Sequence, residues 1–267
     1  VRPVPLIVHP DREELGAAEL YVDVLVDGRP VRMLLDTGAS SSRIPANDFT
    51  RAFARAGDEG SGGRGALGEA AGAEVRVVAP SLEVGGVRAE SLAVELAEPR
   101  PDYLAAILGL DVLRYHRLNL SMSDAEIALD AETPVEGKHP LVQSSGGHPH
   151  VDVEFEHGGT ARAIWDTGAA VTVVDQAFVL THPYLFESHG TSNGIDSMGN
   201  SLEVPMVTMA ASVIGSRTFT PSLAAVVDIA GIQRLGEPEF AMIVGYPLIC
   251  QADWAMDLAR GWWGFLR

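Results

Sequence analysis

One feature constrains this chain more than any other: it repeats itself. The segment Val31-Arg-Met-Leu-Leu-Asp-Thr-Gly-Ala-Ser40 returns as Ala161-Arg-Ala-Ile-Trp-Asp-Thr-Gly-Ala-Ala170. Asp36 and Asp166 thus recur at an offset of 130 residues (166 − 36). Alternating apolar and polar residues precede each copy, Tyr21 to Val26 and Val151 to Phe155, and each run closes on a turn, Asp27-Gly28 and Gly158-Gly159. Period-two alternation closed by such a dipeptide predicts a β-hairpin. A short strand and a helical turn follow each copy, reaching Phe49 in the first half and Phe178 in the second. Further on, each half carries an apolar pair and a glycine, Ile107-Leu108-Gly109 and Ile243-Val244-Gly245, offset by 136 residues (245 − 109). Two landmarks in the same order at nearly the same offset mark a duplicated unit.

The halves meet in a stretch rich in Pro, Gly and Ser, from Ala131 to His150. It reads as a connector, which places an N-terminal lobe at 1–135 and a C-terminal lobe at 136–267. The remainder reads as short strands: Glu74 to Val78, Leu82 to Val84, Ser91 to Glu95, Leu202 to Val207 and Ala224 to Val227. Helical signals are brief, at Asp48 to Ala56, Leu110 to Arg114 and Pro247 to Gln251. The fold class is all-β, with the strand and turn spacing of sandwiches or barrels. Trp262, Trp263 and Phe265 read as a closing core strand, and Val4 to Val8 as an extra strand joining the lobes.

Each repeated Asp leaves the end of an apolar strand, Leu34-Leu35 before Asp36 and Ile164-Trp165 before Asp166. A carboxylate there is costly unless it is hydrogen-bonded or lines a cavity. The Thr that follows can brace a loop, and the Gly allows close approach of the backbone. Two such loops related by a pseudo-twofold axis can bring the carboxyl groups together. Close carboxyls do not both ionise, so the pair keeps one proton. That proton belongs to the pair rather than to either residue. The ionised partner then serves as base on a water and the protonated one as acid toward a carbonyl.

With Asp36-Thr37-Gly38-Ala39, Asp166-Thr167-Gly168-Ala169 and the two apolar-apolar-glycine motifs in view, the sequence resembles the aspartic peptidases of the pepsin and retropepsin type. Proton sharing between two carboxyls is the chemistry by which that family works. The resemblance implies a bilobal fold of two related β-barrel-like lobes with a central cleft. It implies Asp36 and Asp166 as catalytic pair, Thr37 and Thr167 interlocked beneath it, and Gly38, Ala39, Gly168 and Ala169 completing the loops. It implies peptide-bond hydrolysis without metal or organic cofactor, on an extended peptide or protein. Ala39 and Ala169 are closer to the retroviral enzymes than to pepsin, and remove a hydroxyl hydrogen bond to each carboxylate. A less acid-shifted pair is the expectation. Pepsin-like enzymes also carry a flap tyrosine. The corresponding stretches, Gly57 to Gly72 and His189 to Asn200, are rich in glycine and lack aromatics. Each reads either as a flap with Gly hinges or as an ordinary loop.

Two other classes stay open at this point. A silent relative could keep the fold as a peptide-binding module, and each half could pair with a second chain. Tethering both halves in one chain favours a monomeric pseudo-dimer. The net charge of −17 argues against nucleic acid, whose phosphates require Lys and Arg. No apolar run has the length of a membrane span. His148, His150 and His157 lack a third ligand at convincing spacing and read as exposed connector residues rather than a metal site. Cys250, the one cysteine, reads as a buried inert thiol. The chain starts at Val1 rather than Met, as in a mature or trimmed form, and export to a periplasm or the medium is the expectation for its compartment.

Overall fold

A computed structural model describes residues 2–12, 14–57, 64–65, 68–69, 75–98, 106–195, 201–230, 233 and 238–267. Strands are the dominant regular structure of these residues, with four short α-helices and one 3-10 turn among them.

The duplicated hairpins form as their sequence requires. Ala18–Val26 buries its alternate side chains and turns back as Arg29–Leu35. The turn is Asp27-Gly28, with φ of 45° and 76°. Positive φ at both central residues is what a two-residue hairpin demands, and Gly supplies it without steric cost. In the second half Pro149–Phe155 pairs with Thr160–Trp165, and Gly158 and Gly159 carry the positive φ. Each hairpin belongs to its own lobe. An eight-stranded sheet holds the first, and a ten-stranded sheet holds the second.

A third, six-stranded sheet underlies both lobes. Arg117–Ser121 of the first half pairs antiparallel with Trp254–Asp257 of the second, Leu118 opposite Met256 and Asn119 opposite Ala255. Trp262–Leu266 lies beside it as the expected closing strand, with Trp263 and Phe265 buried. Trp254 is fully buried beneath this sheet, tilted against Trp165 and donating its indole N–H to Ile249 O at 2.9 Å. One apolar core runs continuously through both halves, from Leu20 and Val22 to Trp165, Trp254 and Phe265.

Several expectations are revised. Val4–Pro5 does not join the lobes; it pairs with Glu126–Leu129 of its own half. The next residues, Ile7–Pro10, extend the N-terminal sheet against Ala18–Val26. The connector is more ordered than its composition suggests. Val135–Pro140 pairs with Trp262–Leu266, with an irregularity between Glu136 and His139 where Gly137 has φ 62°. The two strands predicted around Pro80 are one, Val75–Val84. Proline normally ends such a run. Here it sits where the ladder with Val87–Ala97 passes from Ala79–Leu92 to Ser81–Glu90, and Ser91 takes φ 53°. A hairpin at Ser212–Ile214 and Arg217–Phe219 escaped the sequence reading, its strands being only three residues each. The helices are shorter than expected, at Asp48–Arg51, Leu110–Leu113 and Tyr246–Ile249.

Candidate active site

Each repeated Asp sits where two parallel strands end side by side. In the first half Leu34 lies opposite Ile107 and Leu35 opposite Leu108. In the second Ile164 lies opposite Ile243 and Trp165 opposite Val244. The register carries into the loops: Asp36 N donates to Leu108 O at 3.1 Å, and Asp166 N donates to Val244 O at 3.0 Å. The glycine after each apolar pair then passes under the loop. Its neighbour closes the contact, Leu110 N to Ala39 O at 2.8 Å and Tyr246 N to Ala169 O at 2.9 Å. The approach is too tight for any side chain. A Cβ on Gly109 would stand 2.7 Å from Ser41 carbonyl atoms, and one on Gly245 would stand 2.5 Å from Val171 O.

The two loops lock together at their threonines, both buried. Thr37 N donates to Thr167 Oγ1 and Thr167 N to Thr37 Oγ1, each at 3.1 Å. Thr37 Oγ1 also donates to Trp165 O at 2.7 Å. Four groups that would otherwise be buried unpaired satisfy one another across the halves.

Above this lock the carboxyl groups of Asp36 and Asp166 come together at one shared amide, Gly38 N. Asp36 Oδ1 accepts from Gly38 N at 2.9 Å and Ala39 N at 2.8 Å. Asp166 Oδ1 accepts from Gly168 N at 2.8 Å and from Gly38 N of the other loop at 3.1 Å. A Cβ on Gly38 would fall 2.3 Å from Asp166 Oδ2, and one on Gly168 would fall 2.3 Å from Asp36 Cγ. Glycine is therefore required there by the opposite carboxyl group, not by backbone conformation. Burial pushes both carboxyls above the usual aspartate range. For Asp36 the charge of Asp166 adds to it, and the elevation is large. For Asp166 the amides of Gly168 and Gly38 offset part of it. The proton is a property of the pair.

Ala39 and Ala169 each rest on a small apolar cluster separate from the main core. Ala39 packs with Tyr21, Leu34 and Ile107, and Ala169 with Ile164, Ile243 and Phe240. Behind the loops the two halves differ. Ser42 Oγ donates to Asp111 Oδ1 at 2.6 Å while accepting from Gly109 N at 3.0 Å, and Ser42 N donates to Asp111 Oδ2 at 2.8 Å. In the second half Thr172 Oγ1 accepts from Gly245 N at 3.3 Å, and Pro247 stands where Asp111 does. Sequence reasoning missed Ser42, Asp111 and Thr172. The only signal was their fixed spacing from the motifs, which gives position but no partner.

Of the first candidate flap, Gly57 to Gly72, only residue 57 and the paired fragments Arg64–Gly65 and Gly68–Glu69 are described; the rest lies outside the described residues. The second, His189 to Asn200, falls in a long hairpin of Phe186–Ile195 with Ser201–Met209, and residues 196–200 lie outside the described residues. Gly190, at φ 88°, marks the irregularity between Ser188 and Thr191.

The histidines depart from the expected exposed connector. His150 is buried, edge-on to Phe240 at 5.9 Å. His148 is half-buried and stands at the Asp loops themselves, within 3.3 Å of Ser40 Oγ. Only His157 is exposed as expected. Among the described residues no group of three or more His, Cys, Asp or Glu is arranged to hold a metal ion. Cys250 is half-buried rather than buried, and burial raises its thiol pKa. No helix among the described residues is long and apolar enough to cross a membrane.

Comparison with known proteins gives a family match and a structural match. Residues 22–115 match the family model described as gag-polyprotein putative aspartyl protease. That span contains Asp36-Thr37-Gly38-Ala39 and runs past Gly109, so it covers the first copy of the site. The crystal structure of the aspartic proteinase from Irpex lacteus superposes with a TM-score of 0.59 at 13% identity, covering 99% of this chain and 96% of that one. No curated protein sequence matches the chain.

Proposed function

We propose that this chain, matched over residues 22–115 by the gag-polyprotein aspartyl protease model and sharing the two-lobed fold of an aspartic proteinase, is a single-chain aspartic endopeptidase with Asp36 and Asp166 as its catalytic pair. One observation carries this reading. Two carboxyl groups from duplicated loops meet at one shared amide, Gly38 N, on top of interlocked threonines, and burial biases the pair toward holding a proton.

In the singly ionised pair, the carboxylate takes a proton from a water held between the two groups. The protonated partner donates to the oxygen of the scissile carbonyl as the water attacks. The product is a neutral tetrahedral diol. On collapse the diol passes one hydroxyl proton to the ionised carboxylate while the protonated partner gives its proton to the leaving amine, so the pair ends with the one proton it began with and no covalent enzyme intermediate forms. The four amide contacts on the carboxyls fix their planes before substrate arrives, which is the preorganisation such a reaction needs. The substrate is an extended peptide that adds strand-like hydrogen bonds in the cleft, and one chain suffices because both loops are its own.

The test is cleavage of an unfolded protein across acid to neutral pH, native chain beside Asp36→Asn and Asp166→Asn. Cleavage by the native chain alone is the expected result. Retained peptide affinity with no cleavage by any form would make the chain a binding relative instead.

A further inference from the structure

The duplication should make the surroundings of the two Asp loops equivalent, and at one point they are not. At the 130-residue offset, His148 corresponds to Ala18 and Ser40 to Ala170. On the Ala side the contact is backbone to backbone: Ala18 N donates to Ala170 O at 3.3 Å. On the other side it is made by an imidazole. His148 Nε2 lies 3.3 Å from Ser40 Oγ, directly after the first Asp-Thr-Gly-Ala loop, and its Nδ1 lies 2.9 Å from Ser144 Oγ.

The ring is held in a built setting. Ser144 N donates to His148 O at 3.1 Å, and His148 N donates back to Ser144 Oγ at 3.1 Å. The turn between them has Gly147 at φ 89°. Gly146 lies so close over the ring that a Cβ there would stand 2.8 Å from His148 Cε1. Since alanine occupies the equivalent place in the first half, the fold itself does not call for a histidine here.

We infer that His148 is a positioning residue of the site: its imidazole ties the Ser144 turn to Ser40 on the first Asp loop and sets a protonatable charge beside the second. The inference rests on the endopeptidase reading. Among the described residues, charged groups near His148 include those of the two Asp loops and of the Leu110–Leu113 helix. Asp36 and Asp166 belong to the two loops, and the charge of His148 acts on Asp166 in the direction of ionisation. Leu110–Leu113 packs against the turn through Leu110, 4.0 Å from the position of a Gly147 Cβ. Its Asp111 is engaged by Ser42, and the following Arg114 folds back onto Leu110 O. The turn itself, from Ser144 to Gly147, has no charged side chain.

The consequence is asymmetric in pH. An imidazole is cationic in acid and neutral in alkali. In acid the cation stabilises the singly ionised, active pair, so the first proton leaves the pair at lower pH than it would without His148. The acid limb of activity is thereby extended, while the interlocked threonines and amide contacts are untouched.

The test titrates the aspartate carboxyl carbons by 13C NMR in the full chain, as native, His148→Gln and His148→Ala, with kcat/KM measured across the same pH range. Asp36→Asn and Asp166→Asn identify the pair's signals. The first ionisation of the pair should move to higher pH in both His148 variants, and the acid limb should move with it. Ser40→Ala should shift both the same way by less. Titration of the pair at the native pH in His148→Gln overturns the inference, as does a fall in kcat with an unmoved acid limb. If the native chain cleaves nothing, the endopeptidase reading fails, and the NMR titration still decides whether His148 governs the pair.

Discussion

At the scale of the residue, the site is a set of groups that only make sense in pairs. Asp36→Asn or Asp166→Asn should lower peptide hydrolysis by roughly 10²–10⁴-fold or more, since each removes an acid or base from the pair. Stability should change in the opposite sense. Both carboxyls are held above the ordinary value of 3.8 in the fold. A carboxyl raised in this way costs nothing below its unfolded value and destabilises the native state as pH rises through the folded one. Asp36→Asn should therefore melt at or above the native temperature at pH 7, and the difference should vanish below about pH 3.8. Thermal melts across pH check this, and a variant less stable than native at neutral pH would show that the paired carboxyls stabilise the fold. Thr37 is different, because Oγ1 both donates to Trp165 O and accepts from Thr167 N. Thr37→Val should cost about 1–3 kcal/mol for each buried group left unpaired, and Thr37→Ser should restore most of it in denaturant titrations.

At the scale of the element, the decisive feature is the crossing of each apolar-apolar-glycine strand end beneath an Asp loop. Gly109→Ala and Gly245→Ala put a methyl group against backbone carbonyls that cannot step aside. Each should destabilise by about 1–3 kcal/mol and displace its loop, so cleavage should fall more than the melting temperature implies. Activity at native level in either variant would show that the loops are not positioned from below. These motifs were legible in the sequence because they recur in the same order in both halves. What the spacing could not give was the asymmetry behind them, Asp111 on Ser42 in one half and Pro247 in the other. Nor could it show that Pro80 lies within a single strand, because an unpaired ladder position opposite Ser91 is a property of the neighbour, not of the proline.

At the scale of the whole molecule, the two halves share one core and one six-stranded sheet. The ladder between Arg117–Ser121 and Trp254–Asp257 crosses the duplication, so unfolding one half exposes the strand edge and the indole of the other. A single calorimetric transition is expected. Trp254→Ala should lower stability by about 3–5 kcal/mol while keeping the transition single; two separated transitions would mean that the lobes fold independently. Because both Asp loops come from one chain, specific activity should stay constant on dilution.

The sequence by itself determined the duplication, the two hairpins with their turns, the all-β class and the identity of the paired Asp-Thr-Gly-Ala loops. These follow from local rules: period-two burial, positive φ at Asp27-Gly28, and the short reach of a tight loop. Tertiary structure alone decided which amide serves which carboxyl, that Gly38 faces Asp166 and Gly168 faces Asp36, and that His148 stands at Ser40 while its counterpart Ala18 makes only a backbone contact. Those contacts join residues more than a hundred positions apart, and local propensity carries no information about a partner at that distance; only the packing of one half against the other does.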